Sequence, residues 1–181
     1  LGDVYKRQPY WRFDRVLNRY FLNMQQLNAH TIHTITEWLN TKRIEIFIGY
    51  PSIMTAFANE MLQAGLTLEF PPKHIFTGAE KLYENQKDIL RKVYKGVLFH
   101  ELYSFSEQAA IATHCMQSVY HEDFEIGHME LNMAMPVANG LQGEILATGF
   151  ANLGMPFIRY QNGDTAVFSV CLLYTSPSPR D

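Results

Sequence analysis

Between residues 44 and 103 the chain alternates short apolar runs with helical periods, and Gly or Pro marks each change. Residues 44–50 (IEIFIGY) are β-branched and aromatic and run into Gly49 and Pro51, the pattern of a buried strand. Ser52 follows as a helix cap, Ile53, Phe57, Met61 and Leu62 supply an apolar face, and Gly65 ends the helix. After Pro71-Pro72, residues 73–77 read as a second strand closed by Gly78. Residues 82–94 form an amphipathic helix. Leu82, Ile89, Leu90 and Val93 face inward, and Glu84, Lys87, Arg91 and Lys92 form a solvated face. Residues 97–103 are a third strand, and 107–116 are predicted as a further helix. Strand–helix–strand–helix–strand at this spacing predicts a parallel sheet with right-handed crossovers. Phe57, Met61 and Phe99 are predicted core residues.

The flanks behave differently. Residues 16–43 are mixed, but 31–43 carry Ile32, Ile35 and Leu39 at helical spacing with Trp38 nearby, and predict a helix. After residue 118, glycines at 127, 140, 143, 149, 154 and 163 separate short runs at 128–133, 144–148, 157–160 and 165–168. These read as mostly antiparallel strands. The fold class is therefore α/β: a parallel βαβαβ layer over 9–118 followed by a β-rich region over 119–170. In open α/β sheets ligands bind at the carboxyl ends of the strands. Those ends carry Tyr50-Pro51-Ser52, Thr77-Gly78-Ala79-Glu80 and Tyr103-Ser104-Phe105-Ser106-Glu107.

The ends of the chain read as foreign to the rest. The first eight residues, LGDVYKRQ, can be written CTC GGA GAT GTG TAT AAG AGA CAG. The reverse complement, read from its second base, encodes Cys-Leu-Leu-Tyr-Thr-Ser-Pro and begins a Ser codon, which matches the chain from Cys171 to Ser178. One DNA segment on opposite strands at both ends resembles a transposon-derived sequencing adapter, so residues 1–8 and 171–181 are expected to be artefactual. The remaining 162 residues carry 12 Lys and Arg against 16 Asp and Glu, a charge of −4, and one cysteine, Cys115. A lone thiol forms no internal disulfide, which suits a cytoplasmic origin. A chain 47% hydrophobic and 18% charged is not a disordered tail, and its acidic balance gives no electrostatic pointer to nucleic acid. No apolar run approaches the roughly 18–20 residues of a membrane span.

Three polar segments can carry chemistry, and each has a plain structural reading as well. Ser106 and Glu107 at a predicted helix start suit a phosphate and Mg²⁺, or simply cap the helix. Gly78-Ala79-Glu80 admits close backbone approach to a flat ring, or is an ordinary βα turn. Asn162-Gly163-Asp164 is a turn signal, and its aspartate suits a ribose diol.

In this order, Thr77-Gly78-Ala79-Glu80, Tyr103-x-x-Ser106-Glu107, Gly143-Glu144-Ile145-x-x-Thr148 and Pro156-x-Ile158-Arg159-Tyr160-x-x-Gly163-Asp164 resemble the adenylate-forming (AMP-binding) superfamily. The pattern is most similar to the phenylacetate–CoA ligase family, including its members of capsular polysaccharide biosynthesis. Tyr50-Pro51-Ser52, Ala112-Thr113-x-Cys115 and Tyr120-His121 also resemble that family. The resemblance implies part of the large N-terminal domain of such an enzyme, hence an incomplete fold. It implies that Gly78, Ala79 and Glu80 line the adenine side of an ATP/AMP pocket, and that Tyr103 packs on adenine. Ser106 would contact the α-phosphate, Glu107 would help bind Mg²⁺, and Asp164 would hold the ribose. Tyr50 and Phe105 would border the acyl pocket. The implied reaction joins a small carboxylic acid to coenzyme A through an acyl-adenylate. Ser104 stands where the family usually has Gly. The family's phosphate loop and catalytic lysine would lie outside residues 9–170, so the chain alone is expected to be inactive. Cys115 and His121 could join further ligands in a structural Zn²⁺ site, or be a buried thiol and a surface histidine. The alternative to a ligase is a non-catalytic or divergent nucleotide-binding protein of a polysaccharide locus. An α/β hydrolase needs a Gly-x-Ser-x-Gly elbow, which the sequence lacks.

Overall fold

A computed structural model describes residues 9–115 and 119–169. The expected artefactual segments, 1–8 and 171–181, lie outside the described residues. The chain divides into two compact units between Leu102 and Tyr103.

The first unit opens with an antiparallel hairpin of β1 (Trp11–Asp14) and β2 (Arg19–Leu22). Asp14 Oδ1 accepts the N–H groups of Val16 and Leu17, and Asn18 takes a left-handed φ of 48°, so the turn closes without glycine. The first helix, α1 (Thr31–Lys42), follows. Trp11 stacks on Trp38 of α1, with ring centroids 4.5 Å apart. Next come β3 (Ile46–Gly49), α2 (Pro51–Gln63), β4 (His74–Gly78), α3 (Glu84–Val93) and β5 (Leu98–Ser104). β3 pairs with β4, and β4 with β5, both in parallel. The predicted βαβαβ layer is therefore present.

Its core joins Ile32, Ile35 and Leu39 of α1, Phe57, Ala58 and Met61 of α2, Ile75 of β4, and Leu90 and Tyr94 around α3. Phe99 packs against this core, as expected. Two details differ from the sequence reading. Ile53 and Leu62 of α2 are exposed, because at 3.6 residues per turn they fall roughly 90° to either side of the face built from Phe57, Ala58 and Met61. Ser52 is not the cap: Tyr50 is, and Ser52 lies inside the first turn. On α3, Lys87 does not join the solvated face. It is buried and paired with Glu101 of β5 at 3.0 Å.

The second unit is antiparallel. β6 (Ile111–His114) pairs with β7 (Tyr120–Glu122). β8 (Gly127–Val137), β9 (Gly140–Gly149) and β10 (Tyr160–Phe168) form a three-stranded sheet with β9 in the middle. The helix predicted over 107–116 does not form. Gln108 adopts φ 53°, which breaks helical geometry, and 111–114 go into a strand ladder instead. Ala109 and Ala110, good helix formers in isolation, are fully buried beside Met129, Ile145 and Ala147. The runs predicted at 157–160 and 165–168 are not two strands. β10 runs continuously from Tyr160 to Phe168, and its register with β9 shifts between Gln161 and Thr165. Residues 162–164 thus bulge opposite Ile145 alone.

Candidate active site

The bulge is the centre of the best-connected polar cluster in the second unit. Asn162-Gly163-Asp164 needs a left-handed residue, and Gly163 supplies it at φ 87°. The Asn162 side chain accepts the Asp164 N–H at 3.0 Å and donates to Asp164 Oδ2 at 2.9 Å. This fixes the carboxylate within the bulge. Tyr103, the penultimate residue of β5, donates its hydroxyl to the same Oδ2 at 2.7 Å. Asn162 Nδ2 donates to the Tyr103 oxygen at 2.8 Å. Three polar groups from positions some sixty residues apart therefore share one closed network. Burial pushes the Tyr103 phenol up to about 12, the bond to the Asp164 carboxylate adds to the rise, and the Asn162 amide opposes it.

A second tyrosine does the same for the other carboxylate. Tyr160, the first residue of β10, donates to Glu107 Oε1 at 2.8 Å, which raises the Tyr160 phenol. The Tyr160 ring packs edge-on against Phe157 and lies 6.0 Å from Phe105, which in turn lies 6.2 Å from Tyr103. Glu107 is half-buried and Ser106 is exposed, and both sit in a turn held by the bond from Gln108 N–H to the Phe105 carbonyl. The helix N-terminus expected at Ser106 and Glu107 is absent. Any anion there meets the hydroxyl and turn amides rather than a helix dipole.

Glycines and motif residues that touch none of these groups explain how the turn and the bulge are held. A Cβ at Gly127 would lie 2.0 Å from the Ala109 carbonyl oxygen, and one at Gly149 would lie 2.9 Å from Ala109 Cα. Only glycine lets segment 105–110 pack onto the ends of β8 and β9. Thr148 accepts the Arg159 N–H at 3.0 Å, and Arg159 itself takes φ 51°. Glu144 accepts from Gln161 at 2.6 Å. The Gly143-Glu144-x-x-x-Thr148 string thus anchors the approach to the bulge from β9. A Cβ at Gly143 would lie 2.6 Å from the Asn132 carbonyl oxygen, where β8 is itself irregular.

In the first unit, Glu80 sits at the N-terminus of α2. Its carboxylate accepts the Ser52 N–H at 3.0 Å and the Ser52 hydroxyl at 2.9 Å. An acid at this end of a helix is favourable. A Cβ at Gly78 would meet the Leu102 oxygen at 3.4 Å, an ordinary contact, so space does not require glycine there. The left-handed residue of the turn is Ala79 instead, at φ 63°. Tyr50 is exposed at the start of α2. Cys115 and His121 belong to the β6–β7 hairpin region, with Cys115 half-buried and its N–H bonded to the Val119 carbonyl. Among the described residues no three His, Cys, Asp or Glu side chains gather as a metal site.

Sequence reasoning selected Tyr103, Glu107 and Asp164 but missed Tyr160 and Asn162 as their hydrogen-bond partners. The signal was available, because both lie inside the Arg159–Asp164 string, though periodicity alone gives neither a partner.

The parallel layer with its β-rich continuation places the chain in a class of folds shared with acid–CoA ligases. It superposes on 2-hydroxyisobutyryl-CoA ligase, solved with 2-HIB-AMP and CoA, with a TM-score of 0.64 at 21% identity, over 79% of this chain and 35% of that one. A long-chain-fatty-acid-CoA ligase (FadD1) from Archaeoglobus fulgidus gives a TM-score of 0.56 at 13% identity, over 76% and 34%. The chain has the α/β fold of part of an adenylate-forming enzyme domain. Among curated proteins it is similar to Protein CapK of Staphylococcus aureus, at 27% identity over 165 residues, 88% of this chain and 34% of that protein. No protein-family model matches the chain. The chain spans about a third of the length of the relatives it matches. Among the described residues no helix is long and apolar enough to cross a membrane.

Proposed function

We propose that the chain is part of an ATP-dependent acid–CoA ligase, similar to the phenylacetate–CoA ligases. The observation that carries this reading is the Tyr103–Asn162–Asp164 network together with Tyr160–Glu107. The motif residues selected from sequence as nucleotide ligands form hydrogen-bonded groups, in a fold that ligases of this kind share.

On this reading a carboxylate oxygen of the acid attacks the α-phosphorus of ATP, the α–β phosphoanhydride bond breaks, and pyrophosphate leaves. The coenzyme A thiolate then attacks the acyl carbon and AMP departs. Asp164 accepts the ribose hydroxyls, and the carboxylate pre-set by Tyr103 and Asn162 needs little reorganisation to do so. The Tyr103 ring packs on adenine, while Gly78, Ala79 and Glu80 line the base. Ser106 hydrogen-bonds the α-phosphate. Glu107, a half-buried oxygen donor, would hold Mg²⁺. The chemistry such an ion would supply there is neutralisation of the charge developing on the phosphates. Tyr50 and Phe105 border the acid. Cys115 and His121 supply two ligand types for a structural Zn²⁺ whose remaining ligands come from elsewhere.

Residues 9–118 and 119–170 then belong to one nucleotide-binding domain of a longer cytoplasmic protein, with 1–8 and 171–181 foreign to it. The test is pyrophosphate release by the complete protein given ATP, coenzyme A and a panel of aryl and alkyl acids. Turnover that Asp164→Ala abolishes supports the reading. Turnover by the 181-residue chain alone overturns its inactive status. A second reading is a nucleotide-binding protein of a polysaccharide locus without ligase activity. It predicts AMP binding by the complete protein with no acid-dependent pyrophosphate release.

A further inference from the structure

The β1–β2 hairpin has two faces. Trp11, Tyr20 and Leu22 pack against the core of the first unit. Arg12 and Phe21 are paired across the ladder and are exposed on the other side. Arg12 and Arg19 both lie over the Phe21 ring, their guanidinium carbons 5.3 and 4.6 Å from its centroid. Beside them Lys42, in the last turn of α1, sets its ammonium 5.8 Å from the Tyr20 ring, and the next residue, Arg43, lies 4.1 Å over Phe70. Arg15 stands exposed in the hairpin turn. Among the described residues none of these five cations is paired with a carboxylate. Asp14, the one acid of the hairpin, turns Oδ1 to the Val16 and Leu17 amides. Aromatic faces hold the cations in place but leave their charge uncompensated.

The charge is concentrated against the trend of the chain. Residues 9–43 carry five Lys and Arg against two Asp and Glu, a charge of +3, whereas residues 44–170 carry seven against fourteen, a charge of −7. The same turn projects apolar side chains into water: Val16 is 92% exposed, Leu17 55% and Phe13 44%. A projecting turn offers no groove for a peptide. A protein layer laid over it would have to bring a carboxylate for each guanidinium it desolvates. An interface of lipid headgroups supplies anions and an apolar boundary together, without a fitted surface.

We propose that the hairpin tip docks the protein on an anionic membrane surface. Phe13, Val16 and Leu17 enter the headgroup boundary, and Arg12, Arg15, Arg19, Lys42 and Arg43 meet lipid phosphates. The attachment is peripheral, and the acidic remainder of the chain is repelled by the same surface, which orients the protein with the hairpin down. Nothing in this rests on the ligase reading.

The test is cosedimentation of the complete protein with vesicles of phosphatidylcholine alone and of phosphatidylcholine and phosphatidylglycerol in equal amounts. Binding is expected to the anionic vesicles only, and added salt should weaken it. Each basic residue near such a surface contributes roughly fivefold, so Arg15→Gln with Arg19→Gln should weaken binding roughly 25-fold. Val16→Ser with Leu17→Ser should weaken it roughly tenfold. Lys81→Gln, an exposed cation outside the patch, should bind as the parent does. Hydrogen exchange of the 9–22 segment in the unsubstituted protein, slowed by anionic vesicles and not by neutral ones, reads the same contact should a variant fail to fold. Equal binding to both vesicle types, no binding to either, or anionic binding that neither double variant weakens overturns the proposal. Tighter binding to a single-stranded oligonucleotide than to the anionic vesicles, lost in the arginine variant, overturns it in favour of a nucleic-acid partner. No turnover is read in this test, so its outcome stands apart from the ligase reading.

Discussion

Removing Glu101 should cost far more than an exposed ion pair is worth. Lys87 Nζ lies 3.0 Å from Glu101 and 3.2 Å from Glu84, and the Lys87 and Glu101 side chains are 11% and 8% exposed. At this separation an effective dielectric of about 20 gives a Coulomb attraction of about 5 kcal/mol, most of it offset by the desolvation of both ions. The net value of the pair is therefore small, but stranding one partner is not. Breaking a buried pair typically costs about 3–5 kcal/mol. Glu84 remains beside the ammonium, which favours the lower end, about 3 kcal/mol. Glu101→Leu should show this loss in urea unfolding followed by Trp11 and Trp38, which stack in the same unit and report its unfolding. The double variant Lys87→Met with Glu101→Leu should return to within about 1 kcal/mol of the parent, because no charge is then left buried. The alkaline limb should move as well. Burial pulls the Lys87 ammonium down, but hydrogen bonds to Glu101 and Glu84 outweigh it and leave its pKa raised. The contribution is fully present below the ordinary lysine value and is lost as pH rises through the folded one. Glu101→Leu should bring that loss to lower pH. A cost under about 1 kcal/mol for Glu101→Leu, or a double variant that sums the two single losses, would refute the reasoning.

Ala79→Gly should stabilise the first unit by about 1 kcal/mol in the same urea assay, since it relieves a left-handed alanine at φ 63°. Gly127→Ala should destabilise the second unit by about 3 kcal/mol in thermal unfolding followed by circular dichroism, because its Cβ would lie 2.0 Å from the Ala109 oxygen. In a spectrophotometric titration Tyr103 should ionise at about 12, and Asp164→Asn should lower that midpoint by removing the carboxylate that holds the proton. The corresponding stability is present below the ordinary tyrosine value of about 10 and falls as pH rises toward 12.

The sequence was legible where period and punctuation agreed. α3 follows from Leu82, Leu90 and Val93 at helical spacing before Gly96, and β3 to β5 follow from short apolar runs between Pro, Gly and polar turns. It was illegible where a distant residue decides a side chain's fate. Lys87 reads as solvated until β5 places Glu101 beneath it. Ala109 and Ala110 read as helix until Gly127 and Gly149 leave a seat on the β8–β9 sheet that only extended chain can occupy. The β1–β2 hairpin has no glycine at its turn, because Asp14 and Asn18 do that work, and so it lacks the usual sign.

The candidate site shows the same division inside a single motif. Asn162-Gly163-Asp164 announces a turn, and a turn between two strands would leave Asp164 in solvent with no fixed direction. A bulge within one strand does something else. β10 pairs with β9 before and after it, so both ends of the three-residue excursion are pinned by ladder bonds. The excursion then has few conformations left, and Asn162 removes more by bonding the Asp164 amide and carboxylate. Glu144 and Thr148 hold the residues leading in. Tyr103 then meets a carboxylate whose position is already set, and Tyr160, at the start of the same strand, sets Glu107. Pre-positioning of this kind is where a binding site gains over free side chains, because the ordering entropy is spent in folding rather than on ligand capture. On the proposed ligase reading, Thr148→Val, which touches neither carboxylate, should loosen the Arg159 amide and weaken AMP binding by the complete protein. Thr148→Ser, which retains the acceptor, should not.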